Sequence, residues 1–138
     1  MTPQQKLVYK APSQMAAAGA PAAHVSSTPL IGTWKNTNHS TNDIVEIIIA
    51  ASGANISVQT FGACTPTPCD WGSVPGIAYS ANVGSSQAVA FSANYKFGFA
   101  NVTVTGHHAG KFLELQTFTE FTDGSGRSNM YTTDQMAK

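Results

Sequence analysis

From Leu30 onward, apolar and polar residues alternate with a period of two, in short runs. Val, Ile, Phe, Tyr and Thr supply the runs. Gly, Asn, Asp and Ser break them at regular intervals. Eight strands are predicted: Gly32–Asn38, Ile44–Ala50, Asn55–Gly62, Ile77–Ala81, Ala88–Phe97, Asn101–His107, Phe112–Phe121 and Ser128–Asp134. The connections carry turn chemistry. Ser52-Gly53 and Ala109-Gly110 suit two-residue hairpins. Gly84-Ser85-Ser86 and Asp123-Gly124-Ser125-Gly126 suit longer loops. No part of this region has a helical period.

Short strands with tight connections predict an all-β fold, a single eight-stranded antiparallel up-and-down barrel. Closure removes the sheet edges, which this chain has few charges to guard. A two-sheet sandwich is the alternative, but its crossovers need longer connections. The parity of strand 5 places Val89, Phe91, Ala93, Tyr95 and Phe97 on one face. Strand 7 carries phenylalanine at both parities, so Phe118, with Phe61 and Phe99, is expected on the outside.

Residues 1–28 differ. Ala, Pro and Ser dominate, without periodicity, apart from a short helical turn expected around Gln14–Ala18. They read as an irregular N-terminal arm or linker, and residues 29–138 as the barrel domain. The longest apolar run, Ile47–Ala51, is far below the roughly 20 residues of a membrane span. The opening MTPQQKLVYK lacks the apolar core of a signal peptide.

The chain has 138 residues with 7 Lys+Arg and 7 Asp+Glu, a formal net charge of zero. Nucleic-acid binding is disfavoured, because it needs a basic surface to displace counterions. Charged residues make up 10%, against about 25% in an average domain. A nearly uncharged barrel with outward aromatics suits association with copies of itself, so a homo-oligomer is expected.

The first strand reads Gly32-Thr33-Trp34-Lys35-Asn36. It resembles the calycin group of lipocalins, fatty-acid-binding proteins and avidins. The avidin version is closest, since that family begins with a similar Gly-Thr-Trp-x-Asn. In avidins the Asn of this strand and a Ser a few residues on contact the ureido group of biotin. The matching positions are Asn36 and Ser40. Avidins wall their site with several further tryptophans, whereas this chain has one more, Trp71, so biotin itself is not the expected ligand. A second segment, Gly62-Ala63-Cys64-Thr65-Pro66-Thr67-Pro68-Cys69-Asp70-Trp71-Gly72, resembles small bacterial domains of unassigned function, as does Thr122–Ser128. Those domains look like barrels of this type and imply no activity.

Cys64 and Cys69 are separated by Thr-Pro-Thr-Pro. A disulfide of this span would stiffen the link between strands 3 and 4. It would point to an extracellular or periplasmic location. The spacing is not Cys-x-x-Cys, and two cysteines make only half a structural zinc site. His107 and His108 are adjacent on a strand and face opposite sides, so they cannot chelate one ion. His39 with His107 is the remaining metal alternative, and no metal site or cofactor is expected. Glu114 and Glu120 share the outer face of strand 7 with Gln116. No nucleophile motif or phosphate loop is present.

The leading expectation is a non-enzymatic barrel that binds a small ligand in its mouth, or assembles with itself, or both. Its site would comprise Trp34, Asn36, Asn38 and Ser40, with Trp71 and Tyr79 as aromatic contacts. The alternatives are a carbohydrate-binding module using Trp71 and Asp70, a structural subunit using the N-terminal arm, and a barrel isomerase or cyclase using Glu46 or His107.

Overall fold

The computed structural model describes residues 25–138. The strands are β1 (Gly32–Asn36), β2 (Ile44–Ser52), β3 (Asn55–Gly62), β4 (Cys69–Ser80), β5 (Ala88–Lys96), β6 (Ala100–Ala109), β7 (Phe112–Phe121) and β8 (Met130–Ala137). Each pairs antiparallel with its sequence neighbours, and β8 returns to β1, closing the barrel. The up-and-down order follows from short connections, which leave a strand no partner but the next one.

The barrel has two different ends. One is shut by the hairpins β2–β3, β4–β5 and β6–β7 and by a 3-10 turn, Thr28–Leu30. Leu30 is buried there, and its carbonyl accepts from Trp34 Nε1 at 2.9 Å. His108 Nε2 donates to the Pro29 carbonyl, and its ring meets Trp34 edge-on with centroids 5.6 Å apart. Ser26 bridges to Gln87 beside the β4–β5 connection. Trp34 thus serves as an anchor for the segment that seals this end. The other end carries the loops 37–43, 63–68, 97–99 and 122–129 and stays open.

Side chains fill the barrel from the shut end to about its middle. Ile47, Ile49, Val58, Phe91, Leu113 and Leu115 are among those buried. Each contributes about 1.5–3 kcal/mol by leaving water. Gly106 makes room for the largest of them. A Cβ at that position would lie 2.5 Å from the Phe91 ring and 2.9 Å from Leu115.

Several boundaries differ from expectation. β1 ends at Asn36, not Asn38, because side chains take over from the ladder. Asn36 Oδ1 accepts from Asn38 N at 2.8 Å, and Asn38 Oδ1 from Ser40 N at 3.0 Å. β4 begins at Cys69 rather than Ile77. Its Gly and Pro residues read as breakers, yet Pro75 and Gly76 keep register with Ser57 and Ile56. β8 runs Met130–Ala137, because both β7 and β1 continue to pair with its second half. Val89 is exposed, unlike its parity mates on β5. Tyr79 pairs with Ala90 and Ser80 with Ala88, so Val89 is a bulge residue turned outward. Phe99 and Phe118 are exposed as expected, and Phe61 is half-buried. The helical turn expected near Gln14–Ala18 lies outside the described residues, as does most of the arm.

Candidate functional site

The open end holds a cavity of about 650 Å³. Its formation begins with a bulge. Gln59 pairs with Ser73 and Phe61 with Asp70, so Trp71 and Gly72 together face Thr60. Gly72 takes φ +88°, a conformation that L side chains resist. The bulge turns the Trp71 indole inward across β3. Gly62 permits this, because a Cβ there would meet Trp71 Nε1 at 2.9 Å. The bulge also leaves the Thr60 N–H without a ladder acceptor. The Tyr95 hydroxyl accepts it at 3.1 Å and lies 2.8 Å from the Gly72 carbonyl. Burial pushes the Tyr95 phenol above its ordinary range.

Aromatic rings form one wall. Tyr95, Phe97 and Phe99 follow one another at alternate positions and stack nearly parallel, with centroids 5.7 and 5.6 Å apart. Trp71 meets Tyr95 and Phe97 edge-on. At the rim, the Arg127 guanidinium lies 4.1 Å from the centroid of the Phe121 ring and pairs with Asp123 at 2.8 Å.

The base and the opposite wall are polar. Thr117 lines the cavity, is only 4% exposed, and its Oγ1 has no hydrogen-bond partner. Asp43 lines the same cavity. Its backbone is held by Thr41 Oγ1, which accepts from Asp43 N, and by Ala63 N, which donates to the Asp43 carbonyl. Asp134 lies one inward step deeper on β8, below Thr132. Its Oδ1 accepts from Asn36 Nδ2 at 2.8 Å, while its Oδ2 is sealed from solvent and receives no donor.

Asp43 and Asp134 are neighbours. Burial raises Asp134 to about 7, assisted by the adjacent Asp43 carboxyl and opposed by the Asn36 amide.

The six residues singled out from the sequence separate. Trp71 forms part of the cavity wall, whereas Asn36 does not line the cavity: it holds Asp134 and, with Asn38, borders a separate cleft of about 260 Å³. Asn38 and Ser40 are exposed on the 37–43 loop. Trp34 is buried at the shut end. Tyr79 is on the outer face, its hydroxyl 2.7 Å from Ser92 Oγ. Cys64 and Cys69 form a disulfide with Cα atoms 5.5 Å apart, and Cys69 borders the cavity. His39 lies on an open-end loop and His107 near the shut end, so the barrel's length separates them. Among the described residues no group of three metal-ligating side chains occurs. Glu114 faces outward and accepts from Gln135 Nε2.

Sequence reasoning missed Asp43, Thr117, Asp134, Phe121 and Arg127. The inward parity of Asp134 was available, but nothing local distinguishes that carboxylate from one beside solvent. Its partner Asp43 comes from a loop distant in sequence.

Comparison with family models, curated proteins and solved structures finds no match to this chain.

Proposed function

We propose that this chain is a non-enzymatic carrier that holds a small ligand in its open-end cavity. The apolar body of the ligand lies against Trp71, Phe97 and Phe121, and its polar head reaches Thr117 and Asp43. The observation that carries this reading is the buried, unpartnered Thr117 hydroxyl, which lines a cavity with aromatic rings on one wall. A buried polar atom without a partner costs about 1–3 kcal/mol, and a ligand head would recover it. The volume falls within the range of small-molecule sites. The avidin-like opening of β1 supports the same end of the barrel, since Asn36 is the residue that orients Asp134.

Trp71 provides the test. Trp34 is sealed at the other end, so a ligand in the cavity changes the emission of Trp71 alone. Native mass spectrometry of protein from its own source, followed by fluorescence titration with the ligand class so identified, should show one ligand per barrel and no response in Trp71→Phe. Clean masses without an adduct, together with no response to a broad library of aromatic small molecules, would refute the carrier reading.

A second reading is a carbohydrate-binding module. Phe99 is 48% exposed and stacks on Phe97, which offers a flat ring at the rim next to Asp70. Binding on a glycan array that is lost in Phe99→Ala and unchanged in Thr117→Val would select it. Self-association through the exposed Phe118, Met130 and Tyr131 fits either reading. The exposed disulfide supports an extracellular or periplasmic location.

A further inference from the structure

Resting on the carrier reading, we infer that the cavity selects ligands whose buried head is a protonated amine, received by Asp43 and Thr117, with Asp134 beside Asp43 as a second carboxyl.

The chemistry of the base is one-sided. Asp43 offers carboxylate lone pairs and Thr117 an unpartnered oxygen. The one amide nearby, Asn36, has spent both Nδ2 hydrogens, on the Ile44 carbonyl and on Asp134 Oδ1, each at 2.8 Å. An anionic head at the base would therefore meet the Asp43 carboxylate. Arg127 is the lining residue with a positive charge, and it stays at the rim on Phe121 and Asp123. A cation meets the opposite: a carboxylate in a partly desolvated site, a hydroxyl acceptor, and aromatic faces that attract positive charge.

The second carboxylate explains how the site exists without its ligand. Asp134 keeps its proton up to about 7. An arriving ammonium favours the ionised Asp134, so its proton leaves to solvent as the amine binds. Among the described residues no other titratable group is turned toward the pair: Glu46 on β2 borders the separate cleft with Lys35. Lys35 on β1 and Glu114 and Glu120 on β7 face outward, His39 is exposed on its loop, and Asp70, Asp123 and Arg127 stand at the rim. Tyr95, across the lumen on β5, is bound to Thr60 and Gly72.

The experiment uses calorimetry on the whole chain with three probes of one shape: phenethylamine, phenethyl alcohol and hydrocinnamate. Phenethylamine should bind at least about tenfold more tightly than the alcohol, and hydrocinnamate should not bind. Its affinity should rise about tenfold from about pH 5.5 to about pH 8, with proton release seen in buffers of different ionisation enthalpy. Asp43→Asn should abolish the preference for the amine. Asp134→Asn removes the proton that binding would release, so it should keep amine binding at the low-pH level and flatten the pH profile. Should either variant fail to fold, proton release by the wild type decides alone. Equal binding of amine and alcohol without proton release would overturn the amine inference and leave the carrier reading standing. Binding of none of the three, with Trp71 emission unchanged, would overturn the amine inference, and the native mass spectrum then decides the carrier reading separately.

Discussion

Asn36 Nδ2 lies 2.8 Å from the Ile44 carbonyl and 2.8 Å from Asp134 Oδ1, so one amide ties β1 to β2 and to β8. It does so at the seam that closes the barrel. There β1 and β8 pair through only two positions, Lys35 with Ala137 and Asn36 with Met136. A side chain compensates for a short ladder. Asn36→Ala should destabilise the fold by about 1–3 kcal/mol, because it strands a buried carbonyl and a carboxylate oxygen. Urea denaturation checks this, and an unchanged midpoint would show that the seam does not depend on the amide.

The acid pair sets a pH dependence whose sign is fixed. Asp134 keeps its proton up to about 7 in the folded chain, against 3.8 ordinarily. Between those values the folded chain binds more protons than the unfolded one, so stability falls as pH rises. The contribution is complete below about pH 4 and gone above about pH 7. Solvent reaches part of the pair, which screens the effect to about 1–2 kcal/mol. Asp70, held low by Gln59 and the Gly72 N–H, and Asp123, held low by Ser125, act in the opposite sense and only below the ordinary carboxylate range. Melting temperatures across this interval should decline in the wild type and stay flatter in Asp134→Asn. A rising profile would contradict the raised Asp134 carboxyl.

The Tyr95 hydroxyl should matter more than its ring. Tyr95→Phe keeps the stack with Phe97 but leaves the Thr60 N–H and the Gly72 carbonyl unpaired beside the bulge. The expected cost is about 1–3 kcal/mol. A shift in Trp71 emission should accompany it, since the bulge aims that indole. Loss of stability without the shift would mean that Gly62 and the disulfide hold Trp71 unaided.

Replacing both cysteines with serine opens a short loop at the cavity's lip. The chain-entropy cost for a closed loop of this size is about 2 kcal/mol. Denaturation of Cys64→Ser/Cys69→Ser should show that loss with the barrel intact by far-UV circular dichroism. Collapse of the β-sheet signal would show instead that the loop organises β3 and β4.

Period-two alternation and turn residues were enough to read eight strands and their up-and-down order, because both are local properties of the chain. The same alternation assigned Phe91, Ala93 and Tyr95 to the interior. It failed at Val89, where a bulge inserts a residue and resets parity, and the second bulge, at Trp71–Gly72, lay outside the strands it predicted. Bulges are set by how two strands fit, and one strand's sequence does not record them. Trp34 illustrates a further limit. Its place on β1 was legible, but only closure decided that it faces a sealed end, under Leu30 and against His108. The acid pair lay beyond sequence reasoning altogether. Asp43 and Asp134 come from opposite ends of the barrel domain and become neighbours only because β8 returns to β1. A carboxylate's chemistry depends on what surrounds it, and closure alone supplies that surrounding here.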